Sequence, residues 1–306
     1  MYLDHFGLTD FPFSITPNTG FFFASRSSQE ALDTLLVAVS MGEGFMKVTG
    51  EVGTGKTTLC RKLLASLGDE YVLAYIFNPY LEPLALFVEV GVELGLPRPP
   101  VGMQLNQHDV LHALTNRVLE LNQSGHQVVI CLDEVQAMPV ETLEALRLLT
   151  NLETEQEKLL QVIIFGQPEL DEKLNHPSVR QLRQRITFHY RLTPLSKGEF
   201  NYYIHHRLAA AGNRRGQLFT PGALRLLERK SDRVPRLINI LAHKALLAAF
   251  GKHKRVVGWR DVMRAARDTE SIQNPCTGRK WLRLAALAGA AGVLGLALGV
   301  LWRYVA

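Results

Sequence analysis

The residues best suited to do chemistry form a turn, GEVGTGKT, that runs from Gly50 to Thr57. The turn fits the pattern G-x-x-x-x-G-K-[ST] at every position, and it lies between an apolar, β-rich stretch and a helical run that starts at Thr58. Glycines let backbone N–H groups curve around a phosphate because no Cβ stands in the way. The N-terminus of the following helix adds unpaired donors and the positive end of its dipole.

This turn predicts a nucleotide site. Lys56 can reach the β- and γ-phosphates, and the Thr57 hydroxyl can hold Mg²⁺. The alternative is a glycine-rich turn that binds nothing. The predicted phosphate-binding residues are Gly50, Glu51, Val52, Gly53, Thr54, Gly55, Lys56, Thr57 and Thr58.

A second cluster follows the apolar run Gln127 to Glu134, QVVICLDE, which ends in two carboxylates. Beside a phosphate loop, Asp133 can join Thr57 in holding Mg²⁺, and Glu134 can polarise the attacking water. The alternative is an ordinary strand followed by an acidic helix cap. Because the sequence contains no Asn-Lys-x-Asp motif for guanine, ATP is predicted rather than GTP.

A third candidate is Gln167, which follows the apolar run LLQVIIF, residues 159–165. At the end of a strand its amide can touch the γ-phosphate or the attacking water. A purely structural amide is the alternative.

The order of the elements indicates an α/β fold. Apolar strands are predicted at 45–48, 71–78, 127–134, 159–165 and 186–192, with helices between them, including one from Gln29 to Val39 that Ser27 or Ser28 caps. Strands that are apolar throughout and alternate with helices predict a parallel sheet covered by helices on both faces. The aromatic arm, residues 1–30, is expected to be extended and to contact adenine or to close the core.

From Thr193 onward only helices are predicted, at 197–210, 221–230, 234–250 and 259–268. The expected domains are therefore a nucleotide-binding α/β domain with an N-terminal arm (1–194), a helical lid (195–270), a basic linker (271–283) and a transmembrane helix (284–302).

The transmembrane prediction rests on 19 consecutive uncharged residues, LAALAGAAGVLGLALGVLW, at 284–302. A helix of this length crosses about 30 Å of hydrocarbon, and small residues and flanking tryptophans are typical of membrane spans. A buried core helix is the alternative. Three Lys or Arg residues precede the stretch closely and one follows it, so the positive-inside rule leaves residues 1–280 in the cytoplasm.

The net charge of +5 is unevenly distributed, because residues 225–283 hold 15 Lys and Arg against 5 Asp and Glu. A basic region beside a membrane span suits an anionic lipid surface, where each charge contributes about 1 kcal/mol. A nucleic-acid face or a simply solvated helical face are the alternatives.

Several long motifs resemble one family. The opening MYLDHFGL…PFSITPN, then GEGFMKVTGEVGTGKTTLC, LDEVQAMPVETLEALRLLTNLETE, FGQPEL, LRQRI and VPRLINILAHKALLAAF are similar to the AAA+ secretion ATPases of the general secretion pathway A (ExeA-like) family. Within it, the similarity is greatest to the MshM-type branch that serves mannose-sensitive haemagglutinin (type IV) pilus biogenesis. The resemblance covers about residues 1–270.

This resemblance implies further roles. Arg185 or Arg183 would be the arginine finger that completes the site of a neighbouring subunit in a homo-oligomeric ring. Arg236 would be the lid arginine that senses the γ-phosphate of ATP. The family often has a Gly-Gly-type turn where this chain has Asp232 and Arg233. The expected partners are assembly proteins of a pilus or secretion system in the bacterial inner membrane, and membrane lipid.

Two other functions compete with this interpretation. A DNA-remodelling AAA+ protein would use the basic region as its footprint, but the predicted span argues against nucleic acid as the partner. A nucleotide-gated scaffold would bind ATP and hardly turn it over, and the presence of both Asp133 and Glu134 argues against it.

Overall fold

The computed structural model describes residues 2–16, 19–77, 80–100, 102–153, 158–213 and 216–269. All five predicted strands are present in this part of the chain. They are β1 (Phe45–Gly50), β2 (Tyr71–Ile76), β3 (Gln127–Leu132), β4 (Leu160–Gly166) and β5 (Phe188–Leu192).

The strands form one parallel sheet in the order β2-β3-β4-β1-β5. Strand β4 therefore lies between β1, which leads into the phosphate loop, and β3, which leads into Asp133. Its register pairs Val162 with both Phe45 of β1 and Ile130 of β3. Since the strands are parallel, their carboxyl ends lie at the same edge of the sheet, which is where α/β proteins bind ligands.

The helices fall between and after these strands. Within the described residues they are α1 (Tyr2–Phe6), α2 (Arg26–Ser40), α3 (Lys56–Leu64), α4 (Pro83–Glu93), α5 (Gln107–Gln123), α6 (Val140–Thr150), α7 (Glu169–Leu174), α8 (Arg180–Gln184), α9 (Lys197–Ala210), α10 (Pro221–Ser231), α11 (Pro235–Phe250) and α12 (Trp259–Arg267).

The start of α2 differs from the sequence prediction by three residues, whereas most other predicted helix ends agree within two, and the short helices α1, α7 and α8 were not predicted. Helix α2 begins at Arg26, and its cap is Ser25, whose side chain accepts a hydrogen bond from the Ser28 N–H. The predicted caps, Ser27 and Ser28, are therefore wrong, because both lie inside the first turn. Helix α1 also lies in the arm that was expected to be extended. Helices this short lack a full apolar period, so sequence periodicity misses them.

Two separate cores cover the two faces of the sheet. Alternate residues of β3 point to opposite sides: Val128 and Ile130 pack in the core that α4, α5 and α6 cover, whereas Val129 and Cys131 pack against α2 and α3. This two-sided burial explains why the strands are apolar at nearly every position. The prediction of an α/β parallel sheet is confirmed.

A third core joins the N-terminal arm to helices α9–α12. Tyr2, Phe6 and Phe13 are each about 1% exposed, and they pack in this helical core rather than against the sheet. The sequence groups the arm with the α/β domain because the two are adjacent along the chain. Burial of the aromatic rings instead places it with the lid. The change from sheet core to helical core falls between Leu192 and Leu195.

The predicted linker (271–283) and membrane span (284–302) lie outside the described residues. Among the residues that the structure does describe, no helix has both the length and the apolar character to cross a membrane.

Two phenylalanines of the arm provide a matched test of this packing. Phe13 is 1% exposed and Phe11 is 44% exposed. We expect Phe13→Ala to lower the free energy of unfolding by about 3–5 kcal/mol, because it leaves a cavity in the helical core. We expect Phe11→Ala to cost less than about 1 kcal/mol. Urea unfolding followed by circular dichroism measures both, and equal losses would contradict the assignment of the arm to this core.

Candidate nucleotide site

The phosphate loop has the backbone shape that its glycines allow. Gly53 (φ 82°) and Gly55 (φ 104°) both lie in the left-handed region, where side chains with a Cβ are strained. Gly55 directly precedes α3, so the first N–H groups of that helix face the loop. An anion in the loop would meet these donors and the positive end of the helix dipole.

Lys56 lies deep in this loop. Its side chain is buried, and its Nζ donates to the carbonyl oxygens of Gly50 (2.7 Å) and Glu51 (3.1 Å). Burial lowers the pKa of Lys56, and the nearby carboxylates of Glu134 and Asp133 oppose that shift. The hydrogen-bond acceptors of the Lys56 ammonium are therefore neutral carbonyls. A phosphate in the loop would give this ammonium a negatively charged acceptor.

The predicted metal ligands are in direct contact. The Thr57 Oγ1 donates to Asp133 Oδ2 over 2.6 Å, which joins α3 to the residue after β3. Asp133 is 2% exposed, and burial raises the pKa of its carboxyl, although hydrogen bonds from Thr57 and the Glu134 backbone oppose this.

One hydroxyl and one carboxylate are what Mg²⁺ uses beside nucleotide phosphates, where it keeps water as its other ligands. A cation at this point would also offset the cost of the buried charge on Asp133. The two residues therefore fit Mg²⁺. The described residues contain no cluster of three or more His, Cys, Asp or Glu that would hold a metal by protein ligands alone.

Glu134 is held by two glutamine side chains. Its backbone is left-handed (φ 55°), and its Oε2 accepts hydrogen bonds from Gln167 Nε2 (3.1 Å) and from Gln136 Nε2. The Gln136 Oε1 in turn accepts from the Gln167 backbone N–H at 3.0 Å. A non-glycine residue in this backbone region is a feature that clusters at functional sites.

Gln136 was missed by the sequence analysis. It lies in a short 3-10 turn, Val135–Ala137, which brings its amide back to Glu134. The only sequence signal is its position two residues after the second carboxylate. The structure thus connects Glu134 to Gln167 by two routes, one direct and one through Gln136.

Beside the loop is a cavity of about 380 Å³ between the sheet and the lid. The phosphate loop and Glu134 form one side of it, and residues 14–16 and 21–23 of the arm form another. Part of the arm closes the helical core, as expected, and part of it lines the cavity. Contact with adenine stays a prediction.

The arm is held in place by Arg207 of α9. This side chain is buried, stacks 4.7 Å from the centre of the Phe21 ring, and donates to the carbonyl oxygens of Pro12 (2.6 Å), Ser14 (3.1 Å) and Phe21 (3.5 Å). Burial lowers the pKa of Arg207. Three backbone carbonyls thus take the role that a carboxylate usually has beside a buried arginine. No motif in the sequence marks Arg207.

Arg236 lies at the start of α11, where the lid meets the loop. Its backbone N–H donates to the Gly53 carbonyl at 3.2 Å, and its exposed side chain lines the cavity. A Cβ on Gly53 would approach the Arg236 Cβ to 2.4 Å, so glycine is required for this contact.

The turn before α11 is strained. Asp232 (φ 47°) and Arg233 (φ 62°) are both left-handed, a conformation that glycine adopts without cost. The Arg233 carbonyl also accepts the Leu195 N–H (3.1 Å), which ties the turn to the end of the α/β domain.

The two candidate finger arginines differ in their surroundings. Arg185 is half-buried and its Nη1 donates to the carbonyl (2.7 Å) and the Oγ1 (3.1 Å) of Thr150, at the end of α6. Arg183 is exposed and donates to Asn175 Oδ1 at 2.6 Å. Neither side chain lines the cavity of its own chain.

These features agree with the comparisons to known proteins. Residues 39–174 match the AAA domain family. The chain is 43% identical over 293 residues to "General secretion pathway protein A" of Aeromonas hydrophila. That alignment covers 95% of this chain and 52% of the relative, so the chain spans about half the length of the relative.

Solved structures show the same fold. Cdc6p of Pyrobaculum aerophilum has a TM-score of 0.65 at 20% identity, covering 83% of this chain and 71% of that one. The ORC1 protein of Aeropyrum pernix, solved with DNA, has a TM-score of 0.59 at 19% identity, covering 83% and 66%. The chain therefore has the fold of these structures, a parallel α/β sheet with a phosphate loop and a helical lid. Residues 39–174 are similar to the AAA domain family, and the sequence is similar to general secretion pathway protein A.

The first prediction for this site concerns Lys56. We expect Lys56→Ala to weaken ATP binding by about 100-fold, because hydrogen bonds to charged groups contribute about 1.5–3 kcal/mol each. Lys62→Ala removes the same charge from the last turn of the same helix and serves as the control. Titration with a fluorescent ATP analogue measures both, and unchanged affinity in Lys56→Ala would refute the assignment of the loop.

The second prediction concerns Glu134 and its glutamines. We expect Glu134→Gln to bind ATP normally and to lower turnover by about 10²–10⁴-fold, the usual contribution of a general base. Gln136→Ala should lower turnover by about 10-fold, because it frees the Glu134 carboxylate.

A double variant tests whether Gln136 acts through Glu134 or independently of it. If Gln136 acts by positioning Glu134, then Gln136→Ala should have no further effect in a Glu134→Gln background. Steady-state ATP turnover of the four proteins measures this coupling. Equal losses in both backgrounds would show that Gln136 acts independently of Glu134.

Proposed function

We propose that this protein is an ATP hydrolase in which one AAA domain supplies the phosphate loop, the metal ligands and the water-activating carboxylate. The observation that carries the proposal is the meeting of Lys56, the Thr57–Asp133 pair and Glu134 at one edge of the sheet, beside a cavity that the lid closes. Mg²⁺ on Thr57 and Asp133 would neutralise phosphate charge. Lys56 would bind the β- and γ-phosphates, and Glu134 would accept a proton from the attacking water.

In this proposal Gln167 and Arg236 change their contacts according to whether the γ-phosphate is present. Gln167 already contacts Glu134, and Arg236 begins the lid helix that contacts Gly53. Loss of the γ-phosphate would change both contacts, which gives the lid a way to respond to hydrolysis.

We further propose that a neighbouring copy of the chain completes each site. The surroundings of the two arginines favour Arg183 as the finger, because its side chain is exposed and can reach another subunit. Arg185 is bound to Thr150 of its own chain, which favours a role in holding α8 against α6. The expected assembly is a homo-oligomeric ring.

The cellular role is proposed from sequence similarity. The 43% identity to a protein named for the general secretion pathway favours a role in a secretion or pilus system. Our specific proposal is an ATPase of the MshM type, anchored in the bacterial inner membrane by residues 284–302, with its bulk in the cytoplasm. There it would drive or license assembly of a type IV pilus or a related secretion machine. Residues 271–283 would be the basic linker.

A DNA-remodelling role receives no further support from the solved structures. The ORC1 structure includes DNA, but its 19% identity to this chain establishes a common fold only.

Mixing two inactive variants tests the shared site. We expect Arg183→Ala to lower turnover by about 10³-fold at saturating protein, because arginine fingers contribute about 10³–10⁵ to the rate. Lys56→Ala should be inactive for lack of nucleotide. A mixture of the two should regain turnover, because Lys56→Ala subunits still offer Arg183 to the intact loops of Arg183→Ala subunits.

Controls for this experiment come from the same helix. Arg180→Ala removes another exposed arginine of α8 and should leave turnover unchanged. Arg185→Ala should lower the melting temperature as well as turnover, since Thr150 loses its donor. If mixing restores nothing and specific activity does not rise with protein concentration, then each subunit works alone and the shared site is refuted.

A further inference from the structure

One corner of the lid has a strongly basic surface that the nucleotide site does not use. It consists of the turn 252–258 and helix α12, and we name it the α12 corner. Its exposed cations include Lys252, Arg255, Arg260 and Arg264. On α12 the arginines recur at positions 260, 264 and 267, a spacing that places them along one stripe of a helix. The opposite stripe, with Val262 and Ala265, is buried in the lid core.

Both carboxylates of this corner are already bound by lysines. Asp261 is buried and accepts from Lys254 Nζ at 2.8 and 2.9 Å, and Asp268 accepts from Lys244 Nζ at 2.8 Å. Residues 252–268 contain no other Asp or Glu. Within residues 252–268 no carboxylate is left over for Arg255, Arg260 and Arg264, so this stretch has an excess of positive charge that is complementary to an anionic partner.

The same corner exposes apolar groups. The Trp259 side chain is 52% exposed and Val256 is 42% exposed, and the guanidinium of Arg260 lies 5.4 Å from the centre of the Trp259 ring. Tryptophan beside arginine is the combination that favours the interface between lipid headgroups and acyl chains. A nucleic-acid backbone would use the cations but would leave the apolar side chains without a partner.

The position of the corner along the chain supports the same partner. Helix α12 ends at Arg267, and the proposed membrane span begins 17 residues later, at Leu284. Even if fully extended, 17 residues reach about 60 Å at most, so the span would keep the corner close to the bilayer. The intervening residues include three further cations, Arg279, Lys280 and Arg283.

We propose that the α12 corner docks on the anionic surface of the membrane, with Trp259 at headgroup depth and the arginines on lipid phosphates. This inference rests on the proposed membrane anchor but not on the proposed ATP hydrolysis. Docking holds the lid fixed relative to the bilayer. When the lid and the α/β domain move apart during the nucleotide cycle, the α/β domain is therefore the part that moves.

Quenching of Trp259 by brominated lipid tests the proposal in the full chain. Trp281→Phe and Trp302→Phe leave Trp259 as the single tryptophan. This protein is reconstituted in vesicles of phosphatidylcholine, with or without about a third of phosphatidylglycerol, at a fixed fraction of acyl-brominated lipid. We expect strong quenching in the anionic vesicles, weak quenching in the neutral ones, and release by high salt.

The decisive variant is Arg260→Gln with Arg264→Gln. Each cation near an anionic surface contributes a factor of about five to the docking equilibrium, so the double variant should dock about 25-fold less. Arg180→Gln with Lys197→Gln removes two exposed cations from α8 and α9 and is the matched control. Equal quenching in neutral and anionic vesicles, or in the double variant and the control, would overturn the proposal.

Three further measurements on the same proteins separate the remaining outcomes. Salt-sensitive binding of a 30-base-pair DNA duplex that the double variant loses, without lipid quenching, would assign the corner to nucleic acid and overturn lipid docking. Alkaline extraction of the vesicles reports insertion of residues 284–302, and ATP turnover reports the nucleotide site. An inserted, active protein whose Trp259 is not quenched refutes only the docking, whereas a docked protein without turnover refutes only the ATPase.

Discussion

The position of β4 between β1 and β3 determines the geometry of the whole site. The phosphate loop leaves β1 and the carboxylates leave β3, and these two strands are not neighbours in the sheet. The gap between them is one strand wide, and Gln167 at the end of β4 lies in it. The gap is spanned by Thr57, which reaches Asp133, and by Gln167, which reaches Glu134. A residue at the end of β4 is thus forced to lie between the phosphate loop and Glu134.

The lid depends on the same edge of the sheet through backbone contacts. Arg236 donates its N–H to Gly53, and Arg207 binds three carbonyl oxygens of the arm. The arm, the lid and the phosphate loop therefore meet around one cavity, although they come from three separate parts of the sequence. Since main-chain atoms take part in each of these contacts, their geometry depends on backbone shape, and the left-handed residues Asp232 and Arg233 are part of that shape.

Sequence patterns predicted the elements well because each pattern is local. Continuous apolar runs marked all five strands, and both ends of α9, Lys197 and Ala210, lie where the sequence predicted them. The phosphate loop, Asp133 and Glu134 were found because short motifs and strand ends mark them, and the structure brings these residues together. Contacts between distant residues left no such pattern. Gln136 contacts a residue 31 positions away and Arg207 one that is 195 positions away. The order of the strands and the packing of the arm were undetermined for the same reason.

The shared core of the arm and the lid has a consequence for how the chain folds during synthesis. Tyr2 hydrogen-bonds His243, and the Arg207 side chain binds residues near the N-terminus, so the arm cannot bury its aromatic rings until most of the chain has left the ribosome. The α/β domain, in contrast, has its own two cores and can close once β5 emerges. For the time needed to synthesise α9–α12, several seconds at about 5–20 residues per second, the aromatic arm is exposed next to a folded domain. The nascent protein therefore passes through an interval in which it requires protection from aggregation, and that interval ends only with completion of the lid.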